Sequence, residues 1–202
     1  MSQRQKLPLM MKQQLKKQSK MYIFGLGNPG SKYEETRHNV GFLTIEKIAA
    51  LEKVKLRKRC FSLYRWAHLA SGDTLVQPLT YMNNSGSIIP SLIHDGDKLI
   101  VIVDQMDLPP GRIRIRKNGG SAGHNGLKSI ISYFGEDFIR VYVGVGRPLD
   151  GTSVVDHVLA RFSEEDMILI DKATDAAASA VIDILNGERI ELVIQRANSF
   201  QA

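Results

Sequence analysis

Met21-Tyr22-Ile23-Phe24-Gly25-Leu26-Gly27-Asn28-Pro29-Gly30 opens the regular part of the chain with an apolar run that breaks into a glycine-rich turn. An apolar run of this length bounded by glycine reads as a buried strand. Gly25-x-Gly27-x-x-Gly30 has the spacing of a dinucleotide turn, but that use needs a helix to open at once on the pyrophosphate and an acid ending the next strand. Here Pro29 and the polar run from Ser31 to Asn39 delay the helix to about Gly41. The next strand ends in Leu69-Ala70-Ser71, without an acid. The glycines therefore permit a tight turn, and a nicotinamide or flavin cofactor is disfavoured.

Outward from this stretch, short apolar runs alternate with helical patterns, and this predicts an α/β fold. Strands are expected near 21–26, 60–70, 74–78, 98–104, 111–116 and 138–145, and helices over 41–52, 84–94, 124–134 and 163–186. The fold class is a single domain with a twisted mixed, mostly parallel sheet and helices on both faces. The last helix is the clearest, with a cap-like Ser163-x-x-Asp166 and a stripe of Ile170, Ala173, Ala177, Val181 and Ile184. The expected organisation is a basic N-terminal extension over 1–20, a catalytic domain over 21–190 and a C-terminal tail over 191–202.

The 202 residues suit one domain. No apolar stretch approaches the length of a membrane span. The single cysteine, Cys60, excludes an internal disulfide and a multi-thiolate metal site, and fits a reducing compartment. The formal charge of +6 is misleading. Residues 1–20 hold Arg4, Lys6, Lys12, Lys16, Lys17 and Lys20 without an acid, so the remainder has 21 basic and 21 acidic residues. A nucleic-acid partner must therefore be argued from local placement. The first 20 residues read as a disordered extension, with Met21 a second candidate start.

Three polar segments follow strands: Gly27–Asn39, Thr80–Asn84 and Asp104–Asp107. Ligands of open α/β sheets sit beyond the carboxyl ends of the strands, so parallel strands would bring these segments together. That puts His38 and Asp104 at one edge. A carboxylate on one imidazole nitrogen fixes the tautomer and leaves the other nitrogen as a base for activating water. Alternative nucleophiles are weak, since Cys60 lacks an evident partner. Metal ligation by His38, Asp104, Asp107 and His124 lacks a uniting spacing. Asn28, Asn39, Asn83, Asn84, Asn118 and Asn125 all fall in turns, where asparagine is common for local reasons. As a set they could orient water and donate to an oxyanion without adding charge. Arg112, Arg114 and Arg116 alternate with isoleucines, which suits either a half-buried strand or a row of guanidiniums facing phosphates. The small residues from Gly119 to Gly126 leave room for close approach of a ligand.

Five segments together resemble the bacterial-type peptidyl-tRNA hydrolase family: Gly25–Gly30 with Tyr33; Thr36-Arg37-His38-Asn39-Val40-Gly41; Tyr81-Met82-Asn83-Asn84-Ser85-Gly86; Asp104-Gln105-Met106-Asp107-Leu108-Pro109-Pro110-Gly111; and Gly119 to Ser129. The resemblance runs from about Met21 to Arg161. It implies a metal-free, cofactor-free, cytoplasmic monomer that hydrolyses the ester of peptidyl-tRNA and recycles tRNA, with no membrane or obligate protein partner. It implies that His38 is the general base, Asp104 holds it in its basic form, and Asn28 positions the water. Tyr33, Tyr81, Asn83 and Asn125 would contact the acceptor end or the peptide, Met82 would line the cleft, and Arg116 would hold a phosphate. Two positions depart from the family pattern. Gln105 stands where an acid or apolar residue is usual, and Tyr142 stands where a second phosphate-binding cation is common, with Arg140 or Lys117 as candidates to compensate. An RNA-binding relative that has lost hydrolysis is the other reading, and a nucleotide-dependent enzyme is a third.

Overall fold

The computed structural model describes residues 19–149 and 151–202. The expected extension therefore lies outside the described residues up to residue 18, but Ser19 and Lys20 already join the domain. Ser19 Oγ donates to the Gly96 carbonyl at 2.6 Å and the Lys20 amide to Asp97 at 3.1 Å.

Six strands form one sheet: β1 (Met21–Gly25), β2 (Tyr64–His68), β3 (Thr74–Pro78), β4 (Lys98–Gln105), β5 (Ile113–Arg116) and β6 (Ile139–Gly144). Their order is β2-β3-β1-β4-β6-β5. The four inner strands run parallel, while β2 and β5 close the edges antiparallel. This is the mixed, mostly parallel sheet expected. Alternation along each strand splits the core in two. Ile23, Ile100, Ile102, Val141 and Val143 face one cluster, and Tyr22, Phe24, Val101, Val103 and Tyr142 face the other.

The first cluster is covered by α1 (Val40–Leu51), α5 (Glu164–Leu185) and α6 (Ile190–Ser199). The second is covered by a 3₁₀ run over Met82–Ile88, by α2 (Ile89–Leu92) and by α3 (Asn125–Phe134). A short helix, α4 (Val154–Leu159), precedes α5. Ser163 caps α5 as expected, its Oγ accepting from the Asp166 amide at 3.1 Å.

Several expectations change. The segment 191–202 is not a tail, because α6 buries Val193 and Ala197 four residues apart and Asn198 Oδ1 accepts from the Ile115 amide at 2.7 Å. The helix expected over 84–94 splits into the 3₁₀ run and α2, with Pro90 in the first turn of α2, where its missing N–H is tolerated. The strand expected over 60–70 shortens to β2, since the chain turns at Arg59–Ser62. Cys60 is exposed in that turn rather than starting a strand.

The opening glycines have a packing reason. A Cβ on Gly25 would sit 2.2 Å from the Gly41 carbonyl oxygen, and one on Gly41 would sit 2.4 Å from the Leu26 backbone. Strand β1 and helix α1 thus meet backbone to backbone, which carries the 37–39 turn over the end of the sheet.

Candidate active site

Because β1, β3 and β4 are parallel, the segments that follow them converge at one edge of the sheet. They border a cleft of about 660 Å³ lined by Asn28, His38, Tyr81, Met82, Asn83, Asp104 and Asn125, among others. Of the residues expected at the site, Tyr33 does not border it. It stands behind the wall, edge-on to Tyr81 at 6.5 Å between ring centroids.

Asp104, near the end of β4, is the centre of the site. His38 Nδ1 lies 2.8 Å from Asp104 Oδ1, and His124 Nε2 lies 2.9 Å from the same oxygen. Burial by itself would raise the Asp104 carboxyl. The adjacent His124 and His38 rings outweigh it and hold the group well below the usual carboxylate range. An ionised Asp104 can only accept, so His38 Nδ1 carries a proton and Nε2 remains as the basic nitrogen.

His124, weighed from the sequence only as a paper metal ligand, is the third member of this cluster. It precedes α3 as its N-cap, with Nδ1 accepting from the Gly126 and Leu127 amides at 3.1 and 3.3 Å. Those two donors require an unprotonated Nδ1, which puts the proton on Nε2, aimed at Asp104. The helix end thus orients the second imidazole with Nε2 towards Asp104. A detectable signal was its place before a helix, where Ser, Thr, Asp or Asn is usual.

His38, Asp104 and His124 bring one potential ligand atom each to within 4.8 Å of one another. The donor set suits zinc on paper. A metal on His124 Nε2 would move the ring proton to Nδ1, against two amide N–H groups. The local hydrogen bonding therefore opposes metal binding there. Asp107 stands apart, paired with Arg147.

Asn28 is fixed from three directions. Its amide N–H donates to Asn39 Oδ1 at 2.8 Å, its carbonyl accepts from Asn39 Nδ2 at 3.0 Å, and its Oδ1 accepts from the Met82 amide at 2.8 Å. Asn39 is thus a buried support for Asn28, not a group facing the cleft. Gly126 brings α3 against this frame, where a Cβ would lie 2.5 Å from Met82 Sδ. The far wall holds Met106 and, from α4, Val154, Val155 and Leu159, an apolar surface the sequence reading missed.

Arg116 borders a separate basin of about 260 Å³ with Arg114, Asn118 and Gly119, and this basin shares Gln105, Ala122 and Tyr142 with the cleft. The expected row of three arginines is reduced to two, because Arg112 turns to Gln201 at 3.0 Å. Arg140 cannot compensate for Tyr142. It is fully buried, stacks 3.7 Å from the Phe138 ring centroid and donates to the Glu136, Phe138 and Gly119 carbonyls. Lys117 is paired with Glu191. Arg114, directly opposite Tyr142 across the β5–β6 pair, is the second cation at this basin.

The family model described as peptidyl-tRNA hydrolase matches residues 22–202. The peptidyl-tRNA hydrolase of Geobacillus kaustophilus is 46% identical over 168 residues, 80% of this chain and 90% of that one. That of Bacillus subtilis is 41% identical over 189 residues, covering 90% and 98%. The crystal structure of peptidyl-tRNA hydrolase from Acinetobacter baumannii has a TM-score of 0.80 at 33% identity, covering 90% of this chain and 96% of that one. With the sheet order, the cleft and these likenesses in agreement, the chain belongs to the peptidyl-tRNA hydrolase family.

Proposed function

We propose that this chain hydrolyses the ester joining a peptide to the 3′ end of tRNA, with water as the attacking species and His38 Nε2 as its general base. The observation that carries the reading is the His38 Nδ1–Asp104 hydrogen bond, which leaves Nε2 as the free ring nitrogen in a cleft that Asn28 also lines. His38 takes a proton as the water attacks the carbonyl carbon, and the ionised Asp104 stabilises the imidazolium that forms. Asn28 Nδ2 donates to the water or to the developing oxyanion. The imidazolium then returns the proton to the departing ribose 3′ oxygen. An ester is easier to cleave than an amide, so one base and fixed donors suffice without a cofactor.

Asn83 and Asn125 offer donors and acceptors to the peptide backbone or the terminal nucleotide, and Tyr81 with Tyr33 behind it offers a stacking face. The apolar wall of Val154, Val155 and Leu159 favours a blocked amine over a free ammonium, whose desolvation costs more. Arg114 and Arg116 suit a backbone phosphate, and burial raises the Tyr142 hydroxyl, keeping it a neutral donor beside them. The cleft is lined by residues of one chain, which supports a monomer, and a substrate made in translation supports a cytoplasmic location.

The deciding experiment compares hydrolysis of N-acetyl-aminoacyl-tRNA and aminoacyl-tRNA by the wild type and His38→Ala. The wild type should prefer the blocked ester, and the variant should lose about 10²–10⁴-fold in turnover with an unchanged circular dichroism spectrum. Near-normal turnover by the variant removes His38 from the mechanism.

A further inference from the structure

The segment Lys53-Val54-Lys55-Leu56-Arg57-Lys58-Arg59-Cys60-Phe61 has no part in the site described above. It places five cations within seven residues, and no acid occurs from residue 53 to residue 72. All five are exposed, and none pairs with a carboxylate among the described residues. Val54 and Leu56 pack against the core, which turns the alternate Lys53, Lys55 and Arg57 outward. The Arg57 backbone exchanges two hydrogen bonds with Trp66, at 2.8 and 2.9 Å, so the run is held along the outer border of β2.

Phe61 at its end is 95% exposed, with φ at 60°. A bulky residue in the left-handed region and in water gains nothing for the fold. Cations alone would serve to guard an open sheet edge against pairing, but an exposed aromatic works against that purpose. Phe61, Arg59 and Leu63 form the rim of a groove of about 660 Å³ whose floor includes Tyr22, Tyr64 and Trp66. Cations beside aromatic faces are what a phosphate backbone and an unstacked base require.

The groove's location selects the RNA. Strand β2 is antiparallel to β3, so its start lies at the same edge of the sheet as the cleft. The Leu79 amide bonds the Leu63 carbonyl at 2.7 Å, two residues before Tyr81. The Arg114–Arg116 basin lies at the opposite end of the sheet, five strand spacings from β2, or about 24 Å. The cleft is between them.

We propose that Lys53–Phe61 and the adjoining groove form a second RNA-binding site. In it the cations hold phosphates of the tRNA body, away from the ester end, and Phe61 stacks on an unpaired base. The inference rests on the reading of this chain as acting on tRNA and deepens it. Both the duplex phosphates and an exposed base are available on an RNA that reaches past the acceptor end.

The test measures binding of uncharged RNA to the full chain by fluorescence anisotropy at several salt concentrations, so it does not depend on hydrolysis. Full-length deacylated tRNA is compared with a short hairpin that carries only the acceptor end. The quadruple variant Lys55→Ser, Arg57→Ser, Lys58→Ser, Arg59→Ser should weaken full-length tRNA tenfold or more and reduce the salt slope by about 3. The advantage of full-length tRNA over the hairpin should shrink towards unity. Phe61→Ala should weaken full-length tRNA by roughly tenfold with the salt slope unchanged, since stacking releases no counterions. Equal losses on both RNAs, or none on either, overturn the proposal. Loss of binding to phosphatidylserine vesicles with tRNA affinity intact would assign the patch to a membrane and also overturn it. A wild type that fails to cleave blocked esters sinks the catalytic reading instead, and leaves these affinities to decide the second site.

Discussion

The Met82 amide occupies the Asn28 side-chain oxygen at 2.8 Å, and this decides which end of the carboxamide reaches the cleft. The nitrogen keeps both of its protons for the cleft, and in the proposed mechanism Asn28 is a donor. The isosteric Asn28→Asp keeps the bond to Met82 but presents an anionic acceptor where the donor stood. It should cost turnover about 10²–10³-fold, as removal of one oxyanion donor does, and no less than Asn28→Ala. Single-turnover hydrolysis of a blocked ester measures it. A wild-type rate in Asn28→Asp would show that the nitrogen is not used. Asp104 gives a second expectation through its depressed carboxyl. Burial pushes that group up, but His124 and His38 pull it further down. A group depressed in the native state stabilises the fold fully above its unfolded range, near ~4, and loses that contribution as pH falls through the native value. Below about pH 4, where both imidazoles are already protonated, the stability gap between wild type and Asp104→Asn should therefore narrow as the solution becomes more acidic. Thermal unfolding of both across that acidic range measures the gap, and widening there would reverse the assigned sign.

Helix α3 reaches the site because Gly126 has no side chain. A methyl there would meet Met82 Sδ at 2.5 Å, Leu26 Cδ1 at 2.7 Å and the His124 ring at 3.0 Å. Gly126→Ala should shift the start of α3, destabilise the fold by about 1–3 kcal/mol through overpacking, and lower turnover by displacing His124. A variant destabilised in urea but unimpaired in kcat would show that His124 is not needed where it stands. The same close approach explains what was legible in the sequence. Strand β4 was plain because Leu99 to Val103 is unbroken and apolar, and α5 because its stripe repeats over about four turns. Asn28, His38 and Asp104 could be brought together because each lies just past, or at the end of, a strand of the same direction. His124 could not, since its bond to Asp104 depends on how closely α3 approaches Met82 and Leu26, a distance no periodicity encodes. Helices α4 and α6 were hidden for a related reason. The first is six residues long with only Val158 buried, and the second buries only Val193 and Ala197.

At the scale of the whole molecule, positive charge is local, and each cluster should leave its own mark on RNA binding. Residues 1–18 hold Arg4, Lys6, Lys12, Lys16 and Lys17, while the chain beyond residue 20 balances 21 bases with 21 acids. Deletion should stop at residue 18, because Ser19 and Lys20 bond to the Gly96–Asp97 turn. Removing 1–18 should weaken non-specific RNA binding and flatten its salt dependence, since fewer counterions are released. It should leave hydrolysis at saturating substrate nearly unchanged. Arg114 and Arg116 differ because β5 fixes them beside the cleft, with Ile113 and Ile115 anchored in the core on the other face. A phosphate held in this way sets how the ester is presented. Replacing both arginines with alanine should therefore raise KM for tRNA esters by about tenfold or more and reduce the salt slope by about 2, one unit for each phosphate no longer neutralised. Tyr142 stands between them and the cleft as a neutral hydroxyl, so no further cation at that position shares the load. Michaelis–Menten curves for the deletion and the double variant at two salt concentrations separate the two clusters. A deletion that abolishes turnover, beside a double variant with unchanged KM, would give the positioning role to the N-terminal residues instead.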